Sequence, residues 1–241
     1  MSALPYGKFA EVYDSLMDQD QFYESYYSFI IEVARMHGVK LGSVLDLACG
    51  TGKLSEIFTS NGIAIEGIDK SGQMLSIARK RGVKAHRGDM ADFRLKKKFD
   101  AVVCIFDSLN YLLKKSGMAM CFSSVYSHLK PGGLFVFDVN SDYKINHAIP
   151  KFFDRKAVFN IDESEVAWAN SHRHNRWIVD IVIKHLGKNF HERHVEGAFR
   201  LKDLRLLMKK TGFSIIGAYS DFDFSKVKKN SLKWFFVCRK I

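Results

Sequence analysis

The sequence predicts an α/β fold. We expect a mostly parallel seven-stranded sheet with helices on both faces and an inserted antiparallel β platform. Two observations lead to this prediction. Between residues 43 and 139, short apolar runs alternate with segments of helical periodicity, as in a parallel sheet covered on both faces. Between residues 142 and 200, several strand-like runs follow one another without helices, which is typical of a small antiparallel sheet.

The elements follow in order along the chain. Residues 1–19 and 20–37 each predict an amphipathic helix, because apolar side chains recur at helical spacing. The main-sheet elements are strands 43–48, 63–68, 83–86, 99–105, 134–139, 213–219 and 232–239, with helices 52–60, 71–80, 115–129 and 201–210 between them. The platform strands are 156–161, 165–172, 176–185 and 190–199, and Pro131-Gly132-Gly133 predicts a turn.

The first strand ends in a glycine-rich turn. The apolar run from Val44 leads through Asp46 into Gly50-Thr51-Gly52, where a helical pattern begins. Strand, glycine turn and helix form the layout of a nucleotide-cofactor site, since a residue without Cβ lets a ligand approach the backbone. Asp69 ends the next strand, where a carboxylate can accept the ribose hydroxyls; the alternative is that it caps the helix at Ser71.

The composition is that of a globular protein, with 47% hydrophobic and 26% charged residues. No apolar run approaches the ~20 residues that span a membrane, and the N-terminus shows no signal-peptide pattern. The four cysteines lack metal-type spacing, so we expect reduced thiols, a cytoplasmic location and no metal.

The net charge of +11 favours an anionic partner such as nucleic acid or a phosphorylated small molecule. The lysines are scattered, however, and no RNA-binding motif accompanies them. A solvated basic surface is therefore the preferred interpretation. Nucleic acid stays open as a partner without being favoured, a membrane partner is not expected, and the oligomeric state is open.

Three motifs carry a resemblance to a known family. Asp46-Leu47-Ala48-Cys49-Gly50-Thr51-Gly52 resembles the first motif of class I S-adenosylmethionine-dependent methyltransferases, with Ala48 in place of a common glycine. The stretch from Gly67 to Leu75 resembles the second motif and Gly88-Asp89-Met90 the third. Two further segments, Phe99-Asp100-Ala101-Val102 and Leu129-Lys130-Pro131-Gly132-Gly133, match the family's strands four and five. The resemblance implies a Rossmann-like fold that binds S-adenosyl-L-methionine and releases S-adenosyl-L-homocysteine.

The N-terminal stretch resembles the opening of a small-molecule subgroup, in the pattern Tyr6-x-x-Phe9-Ala10-x-x-Tyr13-Asp14-x-Leu16-Met17. The resemblance implies a helix folded over the cofactor, with tyrosines near the sulfonium and the carboxylate. A cation beside an aromatic face is favourable by ~0.5–2 kcal/mol. The alternative, an amphipathic helix that packs these rings into the core, stays open.

The resemblance also implies the cofactor's contacts. Asp69 would bind the ribose, Asp89 the adenine amine and Met90 the ring face, whereas Asp46 would order the loop or bind through water. The full set of implied cofactor-binding residues is Tyr6, Tyr13, Asp46, Ala48, Cys49, Gly50, Gly52, Asp69, Lys70, Met74, Gly88, Asp89, Met90, Phe106 and Asp107.

The transfer site is expected after strand four, at the carboxyl edge where open α/β sheets bind ligands. The stretch Asp107-Ser108-Leu109-Asn110-Tyr111-Leu112 resembles the same subgroup there, although Asp107 or Ser108 could simply cap a helix. The platform carries several histidines, of which His194, with Glu196, is the preferred substrate contact. The catalytic candidates are Tyr13, Asn110, Tyr111 and His194.

These observations predict a methyltransferase that acts on N or O of a small molecule. The alternatives are an RNA or protein methyltransferase and a non-catalytic cofactor-binding homologue. A nicotinamide dehydrogenase fits less well, because Ser55 stands where the third glycine of its fingerprint would be. Residues 1–141 and 201–241 are expected to form the cofactor-binding domain, with 1–38 as a helical lid and 142–200 as the inserted platform.

Overall fold

The computed structural model describes residues 5–17, 20–153 and 156–241, and it has the predicted α/β architecture. In chain order the elements are α1 (Ala10–Met17), α2 (Asp20–Met36), β1 (Ser43–Leu47), α3 (Lys53–Ser60), β2 (Ala64–Asp69), α4 (Gly72–Lys80), β3 (Lys84–Arg87), β4 (Phe99–Cys104), α5 (Lys115–His128), β5 (Leu129–Asn140), β6 (Lys156–Ile161), β7 (Ser164–His172), β8 (Arg176–His185), β9 (Lys188–Gly197), α6 (Leu201–Thr211), β10 (Phe213–Tyr219) and β11 (Lys233–Lys240). No described helix is long and apolar enough to cross a membrane.

The main sheet has seven strands in the order β10-β11-β5-β4-β1-β2-β3. The pairs among β1 to β5 are parallel, whereas β11 is antiparallel to both β5 and β10. The strand order reverses between β1 and β4. In open α/β sheets, ligands bind at the carboxyl ends of the strands beside such a reversal.

Alternate residues of the central strands face two apolar layers, because successive side chains of a strand point to opposite faces. Leu45 and Phe135 belong to one buried cluster, which α5 and α6 cover. Val44 and Val136 belong to the other, which α2 and α3 cover. The two layers hold the carboxyl ends of β1 and β4 in a fixed relation.

Residues 142–200 do not consist of strands alone, so that prediction is wrong. The segment Lys144–Phe153 is π-helical. Ile145, Ala148 and Ile149 are buried at helical spacing, but Pro150, which has no backbone N–H to donate, breaks the pattern that a sequence reading relies on.

Two further boundaries differ from the predictions. Tyr6 lies in a turn with a φ of 61°, and α1 begins only at Ala10, so Tyr6 is not helical as expected. The predictions for residues 1–4 and 18–19 lie outside the described residues. Pro131-Gly132-Gly133 lies inside the continuous strand β5, where Gly132 has a φ of 76° and the register against β4 shifts. The predicted turn is therefore a bulge.

The platform is an antiparallel four-stranded sheet in the order β6-β7-β8-β9. Its inner face is apolar on β7 and β8, where Val166 and Ile181 pack against Phe9 of the N-terminal segment. On β9 the buried positions are Glu192 and His194 instead, together with Glu196. Polar groups on a buried strand face need partners, and these partners form the site described below.

The N-terminal segment, residues 5–17, bridges the two sheets. The N–H groups of Tyr6 and Phe9 donate to Oε2 and Oε1 of Glu192, at 2.7 Å and 2.9 Å. Ser71 Oγ donates to the Tyr6 carbonyl at 2.6 Å. Asp14 accepts from Thr51 Oγ1 at 2.8 Å and from the Arg81 guanidinium at 2.6 Å. The segment is thus held over the carboxyl edge of the main sheet from both sides.

We expect Glu192→Gln to loosen this segment. A glutamine amide has one acceptor oxygen for the two N–H groups that the carboxylate binds. Amide hydrogen exchange at Tyr6 and Phe9 should therefore be at least about tenfold faster, since hydrogen bonds to a charged group are worth ~1.5–3 kcal/mol. Glu165→Gln, which removes an exposed ion pair with Lys184 on the same sheet, serves as the control. Unchanged exchange in Glu192→Gln would refute the role given to this carboxylate.

Candidate active site

A cavity of about 310 Å³ lies at the carboxyl ends of β1 and β2, below the N-terminal segment. It brings together most of the side chains that the sequence assigned to the cofactor. The predicted residues that line it are Tyr6, Tyr13, Asp46, Ala48, Cys49, Gly50, Asp69, Lys70, Met74, Gly88, Asp89, Met90 and Phe106. Gly52 and Asp107 do not line it.

The glycine turn shapes the floor of this cavity. Ala48 and Gly50 both have positive φ angles, of 61° and 54°, so the chain turns sharply beside the cavity. Gly52 has a different task, because a Cβ there would lie 2.9 Å from Val83 and 3.0 Å from Ala78. Its lack of a side chain lets the start of α3 pack against α4. Gly52 was predicted to contact the cofactor, but the structure places it in this packing contact and outside the cavity lining.

Asp69 is fixed at the end of β2. The N–H groups of Gly50 and Ser71 donate to its two oxygens, at 3.0 Å and 2.8 Å. The cap of α4 is Ser71, whose Oγ accepts from the N–H of Met74. The Asp69 carboxylate therefore faces the cavity as an oriented acceptor pair, and burial raises its pKa.

Two other acidic groups line the same cavity. Asp46 is buried and accepts a hydrogen bond from Ser55 Oγ at 2.8 Å, and burial raises its pKa to about 7. Asp89 lies nearer the surface, where the Lys70 ammonium contacts its Oδ2 at 2.8 Å and the N–H of Ala91 donates to Oδ1. The cavity thus has a buried acidic end and a partly exposed ion-paired end.

A second cavity, of about 520 Å³, lies between the main sheet and the platform. Its walls are mostly aromatic and include Phe9, Trp168, Trp177, Phe222 and Phe235. Four side chains line both cavities, namely Tyr6, Tyr13, Phe106 and Tyr111. This wall is where a group in one cavity would meet a group in the other.

A chain of hydrogen bonds crosses that shared wall. Tyr6 OH lies 2.9 Å from Tyr111 OH, which lies 2.9 Å from Nδ1 of His194. Nε2 of His194 lies 3.4 Å from Oε2 of Glu192. Burial raises the pKa values of Tyr6 and Tyr111 well above the usual range, so both hydroxyls stay neutral at physiological pH. They can donate and accept hydrogen bonds but cannot act as phenolate bases.

Asn110, expected in the transfer site, lines neither cavity. Its amide donates to the carbonyls of Asn140 and Gly197, at 3.1 Å and 2.9 Å, and its oxygen accepts from the N–H of Asn140 at 2.8 Å. All of its hydrogen-bonding groups are used to join β5, the end of β9 and the turn after β4. It supports the site rather than facing it.

Asp107 belongs to the second cavity and not to the first. The Lys233 ammonium lies 2.6 Å from Asp107 Oδ1 and 2.8 Å from Asp138 Oδ2. Burial alone would lower the pKa of Lys233, but the two carboxylates raise it well above its usual value. Asp107 was predicted to contact the cofactor, but the structure directs its carboxylate toward Lys233 on β11. The reason is a turn of the chain at Phe106 and Asp107, which both have positive φ angles.

An asparagine extends the ionic cluster to the platform. The Asn140 amide donates to Asp107 Oδ2 at 2.9 Å and to Glu196 Oε2 at 2.6 Å, and its oxygen accepts from Lys144 Nζ at 2.7 Å. Sequence reasoning missed Asp138, Lys144 and Lys233. The only signal of Asp138 and Lys233 is a charged residue inside a predicted apolar strand, and these two meet across 95 residues of chain. Lys144 lies outside the predicted strands and carries no such signal.

Two platform histidines away from the shared wall have hydrogen-bond partners on neighbouring segments. His172 Nε2 lies 3.2 Å from Asn146 Oδ1, and His185 Nδ1 lies 2.9 Å from Ser164 Oγ. Among the described residues, no group of three or more possible metal ligands lies close together.

Comparison with known proteins agrees with this geometry. Residues 44–133 match the family model described as "Methyltransferase domain". The chain is 30% identical over 247 residues to "Putative methyltransferase YqeM" of Bacillus subtilis (strain 168), covering 98% of this chain and 97% of that one. It is 39% identical over 132 residues, 54% of this chain and 56% of the other, to the dTDP-3-amino-3,4,6-trideoxy-alpha-D-glucopyranose N,N-dimethyltransferase of Streptomyces venezuelae.

A solved structure extends the likeness to the whole fold. The crystal structure of an S-adenosylmethionine-dependent methyltransferase from Clostridium acetobutylicum ATCC 824 superposes with a TM-score of 0.83 and 29% identity over 98% of both chains. The motifs, the strand order and the full-length relatives agree. The chain therefore belongs to the class I S-adenosylmethionine-dependent methyltransferase family.

Proposed function

We propose that the chain methylates an amino group of a small molecule, with the 310 Å³ cavity holding S-adenosyl-L-methionine and the 520 Å³ cavity holding the acceptor. The observation that carries this proposal is that Tyr6, Tyr13, Phe106 and Tyr111 line both cavities, so a molecule in one cavity would lie beside a molecule in the other. A buried carboxyl cluster and aromatic walls on the acceptor side suit an amine. The Streptomyces venezuelae relative, named as an N,N-dimethyltransferase of an amino sugar nucleotide, supports nitrogen as the target.

The donor set of the first cavity fits the cofactor. Asp69 offers two oriented oxygens for ribose hydroxyls, and both are already fixed by backbone N–H groups. Asp46 and the backbone from Ala48 to Gly50 would meet the amino-acid end, and Asp89 with Met90 the adenine. The volume lies within the range of small-molecule sites. When bound, the cofactor supplies an electrophilic methyl group on a positively charged sulfur.

The side chains of the shared wall then have distinct tasks. The rings of Tyr6 and Tyr13 would lie beside the sulfonium, where an aromatic face stabilises a cation. Tyr111, oriented by His194, would direct a neutral hydroxyl toward the reacting groups. The lid proposed for residues 1–38 and the platform would exclude water, so that the acceptor meets the methyl group in a fixed geometry. Asn110 would hold the turn that carries Tyr111.

The acceptor side favours a small molecule over a macromolecule. Trp168 and Trp177 on the platform face Phe222 and Leu232 of the main-sheet side across the cavity, so a target group has to enter between two sheets. The basic surface, which first suggested nucleic acid, lies outside this enclosure in the form of scattered lysines. We keep the cytoplasm as the proposed location, since the four cysteines are free and buried thiols.

Replacing Asp69 tests the cofactor assignment. Asp69→Ala should weaken S-adenosyl-L-methionine binding at least about a hundredfold, because it removes two charge-assisted hydrogen bonds of ~1.5–3 kcal/mol each. Isothermal calorimetry measures the change. Asp180→Ala, which removes an exposed ion pair with Arg193 on the platform, should bind as the unmodified chain does. Equal affinity in both variants would remove the ribose role from Asp69.

A methylation assay tests the acceptor class. With S-adenosyl-L-methionine labelled in the methyl group, we expect label on members of a panel of small primary and secondary amines and none on bulk tRNA. Trp177→Ala should raise KM for a reactive amine by about 2- to 10-fold with a smaller change in kcat, because it removes an aromatic wall of the acceptor cavity.

The result with tRNA decides between a small-molecule methyltransferase and an RNA methyltransferase. Label on tRNA alone, or salt-dependent retention of tRNA by the chain, would favour an RNA methyltransferase instead. Cofactor binding without label on any acceptor would favour a non-catalytic homologue.

A further inference from the structure

The wall of the acceptor cavity contains a buried cluster with more carboxyl groups than ammonium groups. Asp107, Asp138 and Glu196 contribute the carboxyls, and Lys144 and Lys233 contribute the ammonium groups. With all five ionised, the cluster would carry one unbalanced negative charge in a buried part of the molecule. A single proton on one carboxyl makes it neutral.

The geometry shows where that proton is shared. The Asn140 amide nitrogen donates to Oε2 of Glu196 at 2.6 Å and to Oδ2 of Asp107 at 2.9 Å, so the two carboxyls lie side by side on one donor. Two carboxyls in such contact cannot both be ionised without strong repulsion, so they hold one proton between them.

The surroundings place the proton on Glu196. Burial and the charge of Asp107 raise the pKa of Glu196 well above its usual range. Despite its own burial, the pKa of Asp107 is lowered, because the ammonium groups of Lys233 and Lys144 stabilise its charge. In the protein without ligands, Glu196 is therefore the neutral member of the pair.

The other titratable groups that line this cavity or adjoin the pair are Tyr6, Tyr13 and Tyr26 from the N-terminal part, Tyr111 after β4, Asp138 on β5, Lys144 on the π-helical segment, Glu192 and His194 on β9, Asp221 before β11, and Lys233 on β11. The tyrosines stay neutral because burial raises their pKa values. Asp138 contacts the Lys233 ammonium and the N–H of Asp107 rather than the cavity. Glu196 is thus the carboxyl that meets the cavity with a proton to exchange.

Glu196 also acts on the wall shared with the cofactor cavity. It lines the acceptor cavity together with Tyr6 and Tyr111, and both of these side chains also line the cofactor cavity. A positive charge placed beside these rings is therefore within electrostatic reach of Glu196. In a poorly solvated site, such a charge favours loss of the proton from the carboxyl pair.

We propose that Glu196 is ionised when the sulfonium form of the cofactor is bound and that it takes up the proton which the acceptor loses during methyl transfer. This inference rests on the proposed function of the two cavities. It assigns Glu196 as a catalytic residue, in direct contact with the acceptor, and Asp107 as the residue that positions it. An acceptor that must lose a proton, such as a primary or secondary amine, then suits the site better than a tertiary amine.

The step balances in atoms and charge. The acceptor nitrogen uses its lone pair to form the new N–C bond, while the C–S bond breaks and leaves its electron pair on sulfur. One N–H proton passes to a carboxylate oxygen of Glu196. The positive charge on sulfur and the negative charge on Glu196 disappear together, so the cluster and the sulfur centre taken together are neutral both before and after transfer.

Calorimetry tests the linkage without any acceptor. Binding of S-adenosyl-L-methionine and of S-adenosyl-L-homocysteine is measured at neutral pH in two buffers with different heats of ionisation, which gives the protons released with each ligand. The two ligands share their amino, carboxyl, ribose and adenine groups and differ in the sulfonium charge. We expect release of about one more proton with S-adenosyl-L-methionine than with S-adenosyl-L-homocysteine.

Three variants identify the source of the proton. Glu196→Gln should still bind both ligands but abolish the difference between them. Glu165→Gln, an exposed substitution on the same platform, should retain it. Asp46→Asn tests the buried carboxyl of the cofactor cavity, whose pKa burial raises to about 7; the substitution should change proton release equally for both ligands and leave the difference intact.

The outcomes separate this inference from the proposed function. Equal proton release for both ligands in the unmodified chain would overturn the role of Glu196 while leaving cofactor binding established. A difference that disappears in Asp46→Asn but persists in Glu196→Gln would also overturn it. If neither ligand binds, the assignment of the first cavity fails, and the proposed function with it.

Discussion

The Lys233 ammonium is the contact on which the arrangement of both cavities depends. It joins β11 to Asp138 on β5 and to Asp107 in the turn after β4, at 2.8 Å and 2.6 Å. A buried charge is tolerated only with partners of opposite charge, so this lysine fixes three segments that are distant in the sequence. The turn it holds carries Phe106 and leads into the segment with Tyr111, and both side chains belong to the wall that the two cavities share.

The second organising feature is the use of one platform strand for polar groups. Along β9, Glu192 binds the N-terminal segment, His194 orients Tyr111, and Glu196 completes the ionic cluster. Because alternate residues of a strand share a face, three polar side chains are placed in a row on the buried side. The same strand therefore closes the site, orients its aromatic wall and supplies its exchangeable proton.

Which residues line the 310 Å³ cavity was largely predictable from the sequence, whereas the lining of the 520 Å³ cavity was not. Gly50, Asp69 and Asp89 lie at strand ends, and parallel strands place their carboxyl ends at one edge, so local patterns determine which residues meet. Asn110 and Asp107 also follow the end of a strand. The Asn110 amide, however, donates to the carbonyls of Asn140 and Gly197, and the Asp107 carboxylate contacts the Lys233 ammonium. Their environments depend on segments 30 to 126 residues away, which no local pattern reports.

The sequence by itself determined the α/β alternation, the glycine turn and the acidic residue after β2, because each follows from the periodicity and backbone chemistry of a few neighbouring residues. Only the tertiary structure decided that Gly52 serves packing, that Tyr6 precedes α1 in a turn, and that Glu196 shares a proton with Asp107. Burial and charge pairing between distant segments set these properties, and both exist only once the platform has packed against the main sheet.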